Sequence, residues 1–420
     1  MASLKSFISP PDNESRGEKR MVLKNLEGED LFIITSYYPP PFQAASNRIV
    51  SLANYLLTKY PGASIGFLVL GRDSPISGTG EGWEVSFHSC GFRPTPLNPL
   101  FLLWAIWVCV REIGARSPRH VMVTAPPANT LIAGIIASRL LHVPNIIDLQ
   151  DDWEGVYLDS FPHGGAARWV YRFVLALYGM LARSVYDSAI YMLTADETLG
   201  KIARNQYSGR IAPVLNGVEM EDLAMTGESS LPANEVPQLV YSGELSWRPG
   251  VIHIVAPHLG KPEHGGWQIN IIGGGTEESV ERLKSLFNGG TARFLGSLPR
   301  AEALRLIMGS DAALLAMTEG SQLDHLLPVK LMDYLSCGTP VLAVIPPDSF
   351  AARKIEELSA GIVVSSLDPG GIPGALSELR SHEWRKRTRK TGQMAASLLS
   401  SSKQWRRFVN SIPSIVDGNR

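Results

Sequence analysis

The chain has 420 residues, of which 45% are hydrophobic and 19% are charged, and its formal net charge is −1. This length favours two or three domains, and the composition supplies each with an ordinary hydrophobic core. A charge so close to neutral argues against a surface that wraps nucleic acid, which requires an excess of basic residues. The three cysteines form no zinc-spaced cluster, and their small, odd number indicates a reducing, cytoplasmic compartment without a disulfide framework.

We predict that residues 1–28 form a flexible leader, because they are polar and lack the apolar stretch of a secretory signal. From residue 31 onward, short apolar runs alternate with segments of helical periodicity. The predicted strands of this half are residues 31–35, 64–71, 120–124, 145–149, 189–193 and 211–214, and the predicted helices are residues 47–59 and 129–141. This alternation predicts a parallel sheet covered on both faces, which we assign to an N-terminal domain at residues 29–215.

Two segments of this half are unusually apolar. Residues 97–110 form the longest apolar run, and residues 169–181 combine four aromatic side chains with neighbouring arginines. Neither run reaches the roughly 20 apolar residues that a membrane-spanning helix needs. Two interpretations stay open: both segments are helices that cover the sheet, or their aromatic rings and arginines bind the surface of an anionic membrane. The second interpretation predicts a peripheral protein at the inner face of the cell membrane.

A second alternating series follows a polar stretch at residues 216–237, which we predict to be a hinge. The predicted elements of this half are strands at residues 239–242, 268–272, 292–295, 312–316, 340–344 and 361–364 and a helix at residues 329–336. We assign residues 238–380 to a C-terminal domain and residues 381–420 to basic helices that return toward the N-terminal domain. The predicted fold class is therefore α/β, with two doubly wound Rossmann-like domains facing a central cleft, where the carboxyl ends of the strands bind ligands.

Gly273, Gly274 and Gly275 follow a predicted strand and precede a helix. Such glycines let backbone N–H groups and a helix N-terminus approach an anion, although a tight strand-to-helix turn explains them equally well. The sequence contains neither G-x-G-x-x-G nor G-x-x-x-x-G-K-[ST], so nicotinamide-binding and P-loop interpretations lack support.

Lys330 and Asp333 are three residues apart in a predicted helix and therefore share one of its faces. A cation and a carboxylate placed together suit a nucleotide sugar, because the cation meets the diphosphate and the carboxylate accepts hydrogen bonds from ribose hydroxyls. The spacing alone is equally compatible with a surface ion pair.

Residues 328–341 resemble the C-terminal signature of retaining glycosyltransferase family 4, the group 1 transferases, in the branch that builds capsular and extracellular polysaccharides. That signature reads P-x-K-x-x-E-Y-x-x-x-G-x-P-V, and the resemblance extends over roughly residues 30–378. The other segments that match in order are residues 37–40 with Arg48, 124–127, 148–153, 216–218, 241–243 and 294–296.

The resemblance implies a GT-B fold and the transfer of a sugar, with retention, from a nucleotide diphosphate donor to an acceptor hydroxyl. It implies a UDP-linked donor as co-substrate and neither a metal nor another cofactor, and the net charge argues against a nucleic-acid partner. The acceptor would be a lipid-linked saccharide or a small molecule. The expected catalytic residues are Asp151, Lys330 and Arg248. The expected donor-binding residues are Gly243, Arg248, Gly273, Gly274, Gly275, Phe294, Leu298, Glu319, Ser321, Asp324, His325, Leu326, Lys330 and Asp333. The expected acceptor-binding residues are Arg48, Asp151, Asp152 and Trp153.

The chain departs from the family pattern in its acidic pair. Asp333 stands where glutamate is usual, and His325 stands where the first acid is usual. Glu244 and Pro249 replace the usual basic pair, and Gln150 replaces an arginine. Two alternatives therefore stay open: a nucleotide-sugar epimerase or hydrolase on the same fold, and a catalytically inactive partner that binds a nucleotide sugar.

Overall fold

The computed structural model describes residues 29–36, 44–71, 83–88, 98–152, 166–217, 223, 236–245, 252–287, 290–317 and 327–411. The described chain divides into two compact units. The N-terminal unit holds the residues up to Leu215 together with those from Gln404 onward, and the C-terminal unit holds those from Asn216 to Lys403. The predicted leader and most of the predicted hinge lie outside the described residues.

The N-terminal unit is built on a seven-stranded parallel sheet with the order β3-β2-β1-β4-β5-β6-β7. Its strands are β1 (Leu31–Thr35), β2 (Ile65–Leu70), β3 (Trp83–His88), β4 (His120–Ala125), β5 (Asn145–Leu149), β6 (Tyr191–Thr194) and β7 (Ile211–Pro213). Strands β1, β2 and β5 are fully buried, as expected for a sheet covered on both faces. Strand β3 was not predicted, because this half-buried edge strand alternates apolar and polar residues over only six positions.

Helices cover both faces of this sheet. They are α1 (Ala44–Lys59), α2 (Pro99–Arg116), α3 (Ala128–Leu140), α4 (Ala166–Tyr186), α5 (Glu197–Ala203) and α13 (Ser401–Ser411), the last of which crosses the boundary between the units. Helix α3 packs between α2 and α4, and right-handed crossovers place all three on one face. On the opposite face, Ile49 and Leu52 of α1 share a core with Trp405 and Phe408 of α13.

The C-terminal unit is built on a six-stranded parallel sheet with the order β10-β9-β8-β11-β12-β13. Its strands are β8 (Gln238–Ser242), β9 (Gln268–Ile272), β10 (Ala292–Gly296), β11 (Ala312–Ala316), β12 (Val341–Ile345) and β13 (Gly361–Ser365). Its helices are α6 (Ile252–Val255), α7 (Glu277–Lys284), α8 (Arg300–Gly309), α9 (Val329–Ser336), α10 (Phe350–Glu357), α11 (Ile372–Leu379) and α12 (His382–Leu399). Its core includes Leu239, Trp267, Leu314 and Leu342.

The predicted fold class of two doubly wound Rossmann-like units is confirmed by these two sheets. In each sheet the strand order reverses once, between β1 and β4 and between β8 and β11. Ligands of doubly wound sheets bind at the carboxyl ends of the strands beside such a reversal. Within the described ranges, no helix is both long and apolar enough to cross a membrane.

Candidate functional site

In the C-terminal unit, the strand ends beside the reversal are held together by glycines. The Gly243 N–H donates to Ile272 O at 2.9 Å, and the Gly273 N–H donates to Gly296 O at 2.8 Å. A Cβ atom on Gly273 would stand 1.8 Å from Gly243 O, and both glycines have positive φ angles, +155° and +141°. Any side chain at Gly273 would therefore force β8 and β9 apart at the edge where a ligand is expected.

Gly274 and Gly275 lead into helix α7, whose first turn already carries two carboxylates. Thr276 caps this helix by accepting a hydrogen bond from the Ser279 N–H, and Glu277 and Glu278 follow on the surface. These glutamates complement the positive end of the helix dipole and repel a second anion. The N-terminus of α7 is therefore a poorer position for a diphosphate than the cation at Lys330.

Lys330 lies in the first turn of α9 and reaches the end of β8. Its Nζ donates to Tyr241 Oη at 3.1 Å and lies 4.2 Å from the centroid of the same ring. A Cβ atom on Gly243 would stand 2.6 Å from Nζ, so the glycine leaves the space that the ammonium group fills. Within the described ranges, no carboxylate forms an ion pair with Lys330, and its positive charge is open to a diphosphate.

Asp333 lies one turn further along α9 and has a partner that the sequence did not reveal. Arg300, the first residue of α8, places Nη2 at 2.7 Å from Asp333 Oδ1 and Nη1 at 3.3 Å from Oδ2. The two side chains remain 21% and 11% exposed. The only signal in the sequence was an arginine opening a helix after the turn at Gly296, and this signal does not point to Asp333.

Tyr334 fixes α9 against the sheet. Its hydroxyl accepts a hydrogen bond from the Ser242 N–H at 3.0 Å and donates to Leu314 O at 3.2 Å. Complete burial raises the pKa of this phenol well above its usual value, so it stays neutral. Helix α9, which carries Lys330, is thereby tied to both strands that border the reversal.

Phe294 and Leu298, predicted to border the nucleotide base, are half-buried near the end of β10. The Phe294 ring packs edge-on against Phe287 at a centroid distance of 6.1 Å. The remaining predicted donor residues lie outside the described residues; they are Arg248, Glu319, Ser321, Asp324, His325 and Leu326.

In the N-terminal unit, the carboxyl end of β5 carries a buried charge network. Arg48 donates through Nε and Nη2 to Asp148 at 3.0 and 2.9 Å, and through Nη1 to Val214 O at 2.6 Å. Its guanidinium carbon lies 5.0 Å from the Trp405 ring centroid, and Gln150 Nε2 donates to Asp148 Oδ2 at 2.7 Å. The Arg48 and Asp148 side chains are 1% and 0% exposed. An acceptor could reach Arg48, predicted to contact it, only by displacing these partners.

Asp151 and Asp152 follow directly and are half-buried. The Asp152 N–H donates to Asp151 Oδ1 at 2.9 Å. Both residues line a cavity of about 20 Å³, together with Tyr186 and residues of α5. A space of this size holds about one water molecule. Trp153, the remaining predicted acceptor residue, lies outside the described residues.

No protein-family model matches the sequence, and no curated protein matches it. Solved structures do match. The structure of Anabaena Alr3699/HepE in complex with UDP and glucose has a TM-score of 0.61 at 13% identity, covering 92% of this chain and 100% of that one. WaaG, a glycosyltransferase involved in lipopolysaccharide biosynthesis, has a TM-score of 0.66 at 13% identity, with coverages of 93% and 100%. A UDP-N-acetylglucosamine 2-epimerase has a TM-score of 0.55 at 12% identity, with coverages of 92% and 96%. At these identities the likeness shows the fold, which is the two-Rossmann-domain GT-B fold.

Proposed function

We propose that this protein is a glycosyltransferase that moves a sugar from a UDP-linked donor to an acceptor hydroxyl with retention of configuration. The observation that carries the proposal is the Lys330 ammonium group, held beside Gly243 at the strand reversal with Asp333 one helical turn away. Lys330 binds the diphosphate, and Asp333 accepts hydrogen bonds from the ribose hydroxyls. HepE, a protein of the same fold, was crystallised with UDP and glucose.

The proposed reaction needs little covalent chemistry from the protein. The bond between the anomeric carbon and the leaving diphosphate oxygen breaks, and the acceptor oxygen bonds to the same face of that carbon. The leaving diphosphate takes the proton of the acceptor hydroxyl. Lys330 stabilises the negative charge that develops on the diphosphate, and such a fixed charge lowers the barrier most when it is in place beforehand. Asp151 contacts the acceptor, and Arg248 adds a second cation at the diphosphate.

A nucleotide-sugar epimerase or hydrolase is the second candidate, favoured by the similarity of the fold to the 2-epimerase. The two activities separate when purified protein is incubated with UDP-sugars, with and without a panel of acceptors, and the products are followed by NMR. UDP release that requires an acceptor supports transfer. An altered sugar or free UDP without any acceptor supports the second candidate. Donor binding without turnover under all conditions supports an inactive binding partner.

We further propose that the enzyme works at the surface of an anionic membrane, on a lipid-linked saccharide. The described chain exposes fifteen large hydrophobic side chains, and eleven of them lie on α2, α3 and α4 or directly after α3. They are Leu100, Leu103, Trp107, Leu140, Leu141, Trp169, Val170, Phe173, Leu177, Met180 and Leu181. An exposed apolar face of this kind marks an interaction site more often than chance.

The charge of the same three helices selects the membrane as the occupant. Together α2, α3 and α4 contain six arginines and one acidic residue, Glu112, although the whole chain has a formal net charge of −1. Arg172 lies 5.8 Å from the exposed ring of Trp169, and Arg111 lies 5.1 Å from that of Trp107. Aromatic rings flanked by guanidinium groups suit the headgroup region, where the rings are half-dry and the phosphates are near.

Sedimentation with vesicles of phosphatidylcholine and phosphatidylglycerol tests this surface. We expect the protein to sediment at low salt and to be released at high salt. The double variant Trp169→Ser, Phe173→Ser and the variant Arg172→Glu should stay in the supernatant. The control Leu367→Ser removes a side chain that is 76% exposed in the other unit and should sediment normally. If the protein does not bind the vesicles and light scattering detects a dimer, a second copy of the chain covers this face instead.

A further inference from the structure

Asp333 forms a bidentate ion pair with Arg300, and the proposed function gives Arg300 no role. We propose that Arg300 is a positioning residue of the donor site, which orients the Asp333 carboxylate toward the two ribose hydroxyls. The inference rests on the proposed function, in which a nucleoside diphosphate binds beside Lys330 with its ribose at Asp333.

Among the residues that the structure describes, the geometry of the pair leaves part of the Asp333 carboxylate without a donor. Each oxygen of Asp333 receives a separate N–H group of Arg300, at 2.7 and 3.3 Å. A planar guanidinium group that contacts both oxygens fixes the plane of the carboxylate as well as its position. An ionised carboxylate offers about four lone-pair positions, so about two remain for other donors. Two vicinal ribose hydroxyls would supply those donors.

The position of the pair places these free lone pairs at the ligand edge of the sheet. Asp333 shares a helix face with Lys330, whose ammonium group contacts Tyr241 at the end of β8. Arg300 follows β10, whose last residue Gly296 accepts the Gly273 N–H. Both charged groups therefore lie on helices that begin after or beside these strand ends, and their side chains remain 21% and 11% exposed.

A purely structural role for the pair is the rival explanation, and the surrounding contacts argue against it. Helices α8 and α9 are already joined elsewhere, because Thr339 Oγ1 donates to Ile307 O at 2.8 Å just after α9. Leu304 and Ile307 of α8 are both 1% exposed in the same region. The pair keeps some contact with water, so it contributes less to stability than a fully buried pair does. Helices α8 and α9 therefore have packing contacts that do not involve Arg300.

The experiment compares UDP with 2′,3′-dideoxyuridine diphosphate by calorimetry on the full chain. In Arg300→Gln we expect UDP to bind about tenfold more weakly, because the Asp333 carboxylate is no longer held toward the ribose hydroxyls. The affinity for the dideoxy analogue, which lacks these hydroxyls, should change less than about twofold. Arg300→Lys keeps the positive charge but cannot contact both carboxylate oxygens as a planar guanidinium group does. Its UDP affinity should therefore lie between those of the unaltered protein and Arg300→Gln. Arg305→Gln, an exposed position of the same helix, should match the unaltered protein.

A double-mutant cycle tests whether Arg300 acts through Asp333. Adding Arg300→Gln to Asp333→Ala should change UDP affinity no further, because the carboxylate to be positioned is gone. Equal weakening of both nucleotides, or an undiminished effect of Arg300→Gln without Asp333, would overturn the inference. Melting temperatures within a few degrees of the unaltered protein confirm that the variants are folded. An unaltered protein that binds neither nucleotide would refute the proposed function itself, which is a distinct result.

Discussion

Each unit carries an arginine–aspartate pair near the carboxyl end of its sheet, and the two pairs differ in burial and in company. Arg48 and Asp148 in the N-terminal unit are 1% and 0% exposed, whereas Arg300 and Asp333 in the C-terminal unit are 21% and 11% exposed. Both arginines contact both oxygens of their aspartate. Both pairs join the same two side-chain types, so their surroundings must determine whether each pair can bind a ligand.

The buried pair has no capacity left for a ligand. A second residue, Gln150, donates to Asp148. The guanidinium group of Arg48 also donates to the Val214 carbonyl and lies over the Trp405 ring. Such saturation is what a buried ion pair requires, because water cannot solvate an unmatched charge there. Among the described residues, the partly buried Arg300–Asp333 pair keeps carboxylate lone pairs that a ligand can use. A charged residue at a strand end is therefore a stronger candidate for a binding site when its partners leave some of its hydrogen-bonding capacity unused.

The largest effect is expected from breaking the buried pair. Arg48→Ala leaves Asp148 buried without its countercharge, and we expect a loss of about 3–5 kcal/mol in the stability of the N-terminal unit. Hydrogen exchange of the β1, β4 and β5 peptides measures this unit separately from the other. The double variant Arg48→Met, Asp148→Leu should be less destabilised than Arg48→Ala. Exchange unchanged by Arg48→Ala would mean that the network is dispensable, and an acceptor role for Arg48 would regain support.

A smaller effect, on ligand binding rather than on folding, is expected at Lys330. Lys330→Ala removes one charge-assisted contact, so UDP binding should weaken by about 1.5–3 kcal/mol, while uridine binding changes little. Lys284→Ala is the matched control, because Lys284 pairs with Glu281 on the surface of α7 in the same unit. Equal losses for UDP and uridine in calorimetry would place Lys330 away from the phosphates.

The same comparison shows what could be predicted from sequence. Buried parallel strands are short segments rich in apolar residues, so β1, β5, β9 and β11 were predicted with the bounds that the structure has. The helix at Val329–Ser336 was also predicted to the residue, because Pro328 and Gly338 bracket it. Strand β3 was not predicted from the sequence, because an alternating pattern of apolar and polar residues over only six positions resembles that of a loop.

Partners across the fold could not be predicted. Asp148 lies 100 residues from Arg48, and Asp333 lies 33 residues from Arg300. Periodicity reports which face of one element is apolar, but it contains no information on which side chains of two elements meet. The sequence therefore identified Lys330 and Asp333 as candidates, while the residues that hold them, Tyr241 and Arg300, required the fold.

The smallest effect is expected at Tyr241, which holds Lys330 in two ways. Its ring lies under the ammonium group at 4.2 Å, and its hydroxyl accepts a hydrogen bond from Nζ at 3.1 Å. Tyr241→Phe keeps the ring and removes only the hydrogen bond, so we expect UDP affinity to fall by about 0.5–1.5 kcal/mol. Lys330 would still reach the diphosphate but from a less defined position.

A second tyrosine provides the control for this change. Tyr207, in the N-terminal unit, donates its hydroxyl to Ala189 O at 2.9 Å and is equally buried, at 2% exposure against 1% for Tyr241. Tyr207→Phe should lower the stability of its own unit slightly and leave UDP binding unchanged. If both variants reduce UDP affinity equally, the loss in Tyr241→Phe reflects a general destabilisation of the protein and not a local effect on Lys330. If only Tyr241→Phe reduces it, and only in the presence of Lys330, the hydroxyl acts by orienting the ammonium group toward the diphosphate.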